Sequence, residues 1–158
     1  WATTGRTHHR TPNIITSLEL DPAEMEKRNI HLQKKYAEIE ENEVRFEELH
    51  CEDSEYLIVA FGSCARIAQK AMEMAREEGI KVGLLRPITL WPFPSNAIAA
   101  RAAQVKGILT VELNAGQMVE DVRLAVKCKV PVEHFGRLGG IVPDPDEVIT
   151  ALKEKLIK

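Results

Sequence analysis

Hydrophobic positions are sparse over the first fifty residues. Beyond Glu55 they come in short continuous runs separated by amphipathic stretches. Residues 1–20 show no period. In "DPAE", Asp21 suits an N-cap, Pro22 the first helical position, and Glu24 stands three after the cap. Met25, Leu32, Tyr36 and Ile39 then form one narrow stripe that Asn29 completes. Such a stripe predicts a helix lying across another body, not one sunk in a core. Asn42 ends it. In "EVRFEEL", Val44 and Phe46 alternate with charged neighbours, which predicts a short edge strand over 43–49.

From there the pattern changes to alternating strands and helices. "YLIVAF" (56–61) reads as a buried strand. "CARIAQKAMEMAREEG" reads as a helix with Ile67, Ala71, Met74 and Ala75 on one face, stopped by Gly79. "IKVGLL" (80–85), "GILTVEL" (107–113) and "VPVEHF" (130–135) are further strands. Pro131 lacks an amide donor, so the last of these belongs at a sheet edge or begins at the proline. Helices are expected over 94–104, over "QMVEDVRLAVK" and over "DPDEVITALKEKLI". The first two of these are placed between strands; the third closes the chain with a second Asp-Pro-x-Glu start. This alternation predicts an α/β fold: a three-layer, open, mostly parallel sheet with helices on both faces. A long helix and an edge strand precede it. The expected division is an irregular linker over 1–20, a connecting helix and edge strand over 21–50, and the α/β domain over 51–158.

Length and composition fit one ordinary domain that needs no covalent staples. A chain of 158 residues buries roughly 70% of its unfolded surface. The net charge of −3 gives no reason to expect nucleic acid or an acidic membrane as partner. No apolar run approaches the roughly 18 residues of a membrane span. No secretory leader is read, so a cytoplasmic location is expected. The chain starts at Trp1, which is read as a piece of something longer. Cys51, Cys64 and Cys128 are odd in number and far apart, a pattern of reduced thiols rather than of disulfides, zinc or iron–sulfur ligation. His8 and His9 point apart if extended, and nothing nearby completes a metal site.

In a parallel sheet the turns after the strands emerge at one edge, where ligands and partners gather. The least ordinary residues occupy those turns: Gly62-Ser63, then Arg86-Pro87-Ile88-Thr89, then Asn114-Ala115-Gly116-Gln117, then Gly136-Arg137-Leu138-Gly139-Gly140. Ser63 is expected to cap a helix. "RPITLWPFP" is either a docking surface or a packed lid. Asn114 is read as a cap for the third of the four helices after Glu55, and Gly116 as a point of close backbone approach. Gln117 has no evident capping role. Arg137 offers a fork for a phosphate or carboxylate, or is an ordinary surface arginine. No dinucleotide fingerprint, phosphate loop or nucleophile elbow occurs. The histidines have no readable acid or nucleophile partner.

Taken together, "GIKVGLLRPITLWPFP", "VELNAGQMVEDVRLAV" and "FGRLGGIVPDPDEVI" resemble the C-terminal domain of the alpha subunit of 2-oxoacid:ferredoxin oxidoreductases. The branch most similar is that of 2-oxoisovalerate (3-methyl-2-oxobutanoate). "IITSLELDPAEMEKRN" and "KKYAEIEENEVRFEE" are similar to the segment leading into that domain. The resemblance implies a transketolase C-terminal-like fold. It implies a whole enzyme that decarboxylates a branched-chain 2-oxoacid on thiamine diphosphate and Mg2+. The acyl group passes to coenzyme A and the electrons pass through iron–sulfur clusters to ferredoxin. The implied partners are a thiamine diphosphate-binding beta subunit, a gamma subunit and a ferredoxin-like delta subunit. The resemblance gives this chain no catalytic, cofactor-binding or metal-binding residue. It makes Arg86, Thr89, Asn114, Gly116, Gln117, Arg137, Gly139 and Gly140 subunit- or cleft-facing. Two other readings stay open: the equivalent domain of a transketolase or of a 2-oxoacid dehydrogenase beta subunit, and a stand-alone ligand-binding or regulatory α/β module.

Overall fold

The computed structural model describes residues 5, 11 and 18–157. The linker expected over 1–20, with His8 and His9, therefore lies almost wholly outside the described residues. Residues through Glu38 cluster as one compact unit and residues from Ile39 as a second. In the first unit, helix α1 (Pro22–Asn42) starts as its sequence predicts and runs on past the unit's end. The Asp21 carboxylate accepts from the amides of Ala23 and Glu24 at 2.8 and 3.3 Å. No residue of α1 is buried; Met25, Leu32 and Ile39 are half-buried, and Tyr36 is exposed.

The second unit holds a five-stranded sheet: β1 (Phe46–Leu49), β2 (Tyr56–Ala60), β3 (Val82–Pro87), β4 (Gly107–Glu112) and β5 (Val132–Gly136). Their order in space is β1-β3-β2-β4-β5. Strand β1 pairs antiparallel with β3, and all other pairs are parallel. Hydrogen-bonded to β3 alone, β1 is an edge strand of this sheet.

Each central strand sends alternate side chains to opposite faces, and this produces two cores. Ile58, Leu84, Leu109 and Val111 pack under α2 (Gly62–Glu77) and α5 (Pro145–Leu152). Leu57, Val59, Leu85 and Ile108 pack under α3 (Ser95–Ala102) and α4 (Met118–Val126). The buried seam of α2 is Cys64, Ala65, Ala68, Ala71, Met72 and Ala75, so expected face residues Ile67 and Met74 sit on its border. Alanines let that helix approach the sheet closely. Helix α2 ends as expected at Gly79, which adopts φ +87°. At the far end, Asp144 and Glu147 form a reciprocal capping box on α5, and one π-helical turn (Lys153–Ile157) extends that helix. Leu156 of that turn fills the space above Gly107, where a Cβ would stand 2.8 Å from its methyl. A two-pronged ion pair of Arg101 with Glu48, at 2.5 and 2.9 Å, ties α3 to β1. Among the described residues no helix is long and apolar enough to cross a membrane.

Several details differ from expectation. Strand β3 runs two residues further than the apolar run, because its antiparallel partner continues the ladder to the pair Phe46–Pro87. Arg86 and Pro87 are therefore strand, not turn. Ser63 does not cap α2: the cap position is Phe61, and no side chain bonds there. Helix α4 stops at Val126, and Lys127 takes the left-handed conformation beyond it.

The thiols follow the layering. Cys51 and Cys64 are buried and Cys128 is exposed. Burial, then the nearby Glu48 charge, pushes the Cys51 thiol up to about 11. Burial, then Glu112, raises Cys64. A thiol-specific reagent at pH 8 is expected to modify Cys128 quickly, and Cys51 and Cys64 only on unfolding. Three fast thiols in the folded chain would contradict this packing. The stability that the raised Cys51 contributes is complete below pH 9.0 and is lost as pH rises through about 11.

Candidate functional site

All four parallel strands end at one edge of the sheet, and antiparallel β1 begins there. The predicted turns do share that edge. What organises it is a residue in none of them.

Strand β4 is buried at all six positions. Leu109 and Val111 face one core, so Ile108, Thr110 and Glu112 face the other. Glu112 has no exposure to water. Its side chain points at the start of α4, where the first amides of a helix have no intrahelical partner. Oε2 accepts from the amides of Met118 and Gln117 at 2.8 and 3.2 Å, and Oε1 from that of Val119 at 3.0 Å. Asn114 Nδ2 donates to Oε2 at 3.1 Å. The carboxylate thus receives four donors and the positive end of the helix dipole. Residue 112 caps the helix from the preceding strand; Gln117 holds the cap position with no side-chain bond of its own.

The surrounding residues support this clasp. Asn114 Oδ1 accepts from the Gly116 amide at 2.7 Å, which closes the turn. Gly116 has φ +111°, and a Cβ there would stand 3.1 Å from Val119. The Arg137 amide donates to the Glu112 carbonyl at 3.2 Å. At Gly136 a Cβ would lie 2.2 Å from the Asn114 carbonyl oxygen, so β5 reaches this turn only with glycine. His134 fills the remaining side. Its Nδ1 lies 3.2 Å from Thr110 Oγ1 and 3.4 Å from Glu112 Oε1, and its Nε2 lies 3.3 Å from the Asn114 carbonyl oxygen. A carbonyl only accepts, so Nε2 carries the proton in that contact.

The sequence-predicted residues divide into three groups. Asn114, Gly116 and Gln117 converge on Glu112, as does the backbone of Arg137. The Arg137 guanidinium reaches Glu147 at 3.4 Å, while its Nε is buried without a hydrogen bond. On the other side, Arg86 pairs with Glu47, its cross-strand neighbour, at 2.9 Å. Thr89 Oγ1 accepts from the Arg45 amide and donates to the Pro92 carbonyl, tying the loop after β3 to the start of β1. Gly139 and Gly140 both have positive φ in an open loop. Asn114 is not the helix cap, because its oxygen serves Gly116. His134 does have an acid partner. Glu112, Thr110 and His134 are the residues sequence reasoning missed, and Gly136, read as turn, is the last residue of β5. The available signal was a single acid in an otherwise apolar, fully buried strand, five to seven residues before a helix start.

The polar atoms of Glu112 and Asn114 turn inward at this edge, while many of its apolar side chains turn outward. Ile88, Leu90, Trp91, Leu113, Leu138, Ile141 and Val142 are 45–63% exposed, and all lie in turns after parallel strands. Phe46, at 39%, begins β1 beside them. Among the described residues of this unit, Leu124 is the one other exposed large hydrophobic. No group of three or more His, Cys, Asp or Glu side chains among the described residues could hold a metal.

The family of pyruvate:ferredoxin oxidoreductase core domain II matches residues 54–148. Ketoisovalerate oxidoreductase subunit VorB of Methanothermobacter thermautotrophicus is 46% identical over 154 residues, which are 98% of this chain and 43% of that one. This chain thus spans less than half the length of that relative. A solved 2-oxoglutarate:ferredoxin oxidoreductase from Magnetococcus marinus, with 2-oxoglutarate, coenzyme A and succinyl-CoA bound, superposes with a TM-score of 0.74 at 25% identity. It covers 86% of this chain and 24% of its own. A split-gene transketolase, an inactive beta4 tetramer, superposes at 0.61 with 20% identity over 72% of this chain and 41% of its own, and shows the fold alone.

Replacing Glu112 tests the clasp. Glu112→Gln keeps the volume but sets an amide donor against backbone donors, so it is expected to cost about 3 kcal/mol in urea unfolding. Gly136→Ala is expected to cost about 2 kcal/mol through overlap with the Asn114 carbonyl. A Glu112→Gln cost under about 0.5 kcal/mol, the size of a neutral surface change, would contradict the assignment.

Proposed function

Since this chain belongs to the pyruvate:ferredoxin oxidoreductase core domain II family, we propose that it is a docking domain of a 2-oxoacid:ferredoxin oxidoreductase. The proposed substrate is 2-oxoisovalerate, by the 46% identity to a ketoisovalerate oxidoreductase subunit. The whole enzyme then converts the branched 2-oxoacid, coenzyme A and oxidised ferredoxin to acyl-CoA, CO2 and reduced ferredoxin. Thiamine diphosphate, Mg2+ and the iron–sulfur clusters belong, in this reading, to other parts of the assembly. The three cysteines of this chain lie apart, two of them in separate cores. The relatives carry this segment in a subunit named VorB, so the expected alpha label is not carried over.

One observation supports the docking role most strongly: the concentration of exposed apolar side chains at the edge where the parallel strands end. Exposed apolar side chains gathered at one edge, and not scattered singly, are the mark of an interaction surface. The Asn114 side chain and the first amides of α4 are bonded internally to Glu112, so they hold the turn in shape. Gln117, whose side chain is exposed, and the Arg137 fork stand at its margin. Domain contact, not covalent chemistry, is the work such an arrangement does well.

The test uses the assembled enzyme. Leu138→Glu with Ile141→Glu is expected to change this chain's own stability by no more than about 0.5 kcal/mol, as for surface positions. It is expected to prevent assembly and abolish coenzyme A-dependent ferredoxin reduction with 2-oxoisovalerate. The 158-residue chain alone is expected to show no turnover. Full activity of the double variant, or turnover by the chain alone, would overturn the reading.

A further inference from the structure

At the β1–β3 end of the same edge, the loop after β3 folds over the start of β1 and leaves a groove of about 720 Å³. Sites that enclose a ligand fall in the range of roughly 300–1,000 Å³. Phe46, Trp91, Phe93 and Pro94 line it, together with the polar Ser95 and Asn96. Trp91 is 55% exposed. Its rim carries two carboxylates, Glu40 and Glu41, and neither forms an ion pair among the described residues. Thr89 holds the loop in this shape through Arg45 and Pro92.

A purely apolar partner is a poor fit here. Covering the groove would take Glu40 and Glu41 out of water with no counter-charge, and an uncompensated buried charge is strongly unfavourable. The occupant must bring positive charge on an apolar stem. Lysine and arginine do this, because they lay methylenes on apolar surface while the head stays with the charges. An aromatic wall favours arginine further, since a guanidinium stacks on a Trp face.

We propose that this groove receives an arginine- or lysine-bearing apolar segment of a neighbouring polypeptide of the same oxidoreductase. The cation sits between Trp91 and the pair Glu40–Glu41, and the apolar residues beside it cover Phe46 and Phe93. The proposal rests on the docking reading above and adds the chemistry of one partner segment to it.

The experiment uses the purified, assembled enzyme, scored first for coenzyme A-dependent ferredoxin reduction by 2-oxoisovalerate. Trp91→p-benzoylphenylalanine is photolysed in that complex and the adduct is mapped by mass spectrometry. The expected adduct lies in one segment of another polypeptide that carries Arg or Lys among apolar residues. Glu40→Lys with Glu41→Lys is expected to weaken association at least tenfold, and reversing the cation in the mapped segment to Glu is expected to restore it. An adduct in a segment without a cation, no adduct in an active complex, or unchanged affinity after charge reversal would each overturn the proposal while leaving the functional reading intact. A cation-bearing adduct with charge-swap rescue in a complex that oxidises no 2-oxoacid would do the opposite.

Discussion

A carboxylate with no exposure to water holds one edge of this sheet together. Burying the Glu112 charge without partners would cost several kcal/mol. Leaving the first amides of α4 buried and unbonded would also be costly. Each need meets the other, and the result joins the end of β4, the turn 113–117, the start of α4 and the end of β5. The glycines follow from it: Gly136 because β5 passes so close to the Asn114 carbonyl, and Gly116 because the turn requires a positive φ. Much of "VELNAGQM" is thereby explained, since a buried acid needs an amide beside it, a tight turn and a row of free backbone donors.

This inward arrangement of polar groups determines what the edge can do. With Glu112 and Asn114 bonded inward, most of the large side chains left to face outward at this edge are apolar. A surface held rigid from within and apolar without is suited to stable contact with another folded body. The β1–β3 end differs by adding two carboxylates to an aromatic–proline groove, so one edge offers two chemistries. The chain belongs to the pyruvate:ferredoxin oxidoreductase core domain II family and spans less than half the length of the VorB relatives it matches.

The architecture was legible in the chain because strand and helix periods alternate cleanly from Tyr56 onward, and Pro131 correctly marked an edge. The site was less legible, for definite reasons. A cap is normally sought in the turn just before a helix, where Asn114 has the right type; the true cap comes from a strand position, and its pairing depends on how α4 returns across the sheet. His134 gained its partners through the parallel pairing of β5 with β4, which sets Thr110 against His134 across a separation of more than twenty residues. Arg86 read as a turn residue because it ends an apolar run, yet pairing with β1 extends the strand and gives it Glu47. Ser63 had the right type for a cap, but Gly62 at φ +57° starts the helix without side-chain help. For His134 and Arg86, local chemistry was overruled by a neighbour distant in sequence.

Amide hydrogen exchange across residues 113–119 measures the central interaction directly. If the Glu112 carboxylate holds the turn and the helix start, the amides of Gly116, Gln117, Met118 and Val119 exchange only through large-scale unfolding, at rates like those of the buried strand β4. Exchange of these four amides at the rate of the open loop around Gly139 and Gly140 would contradict the account.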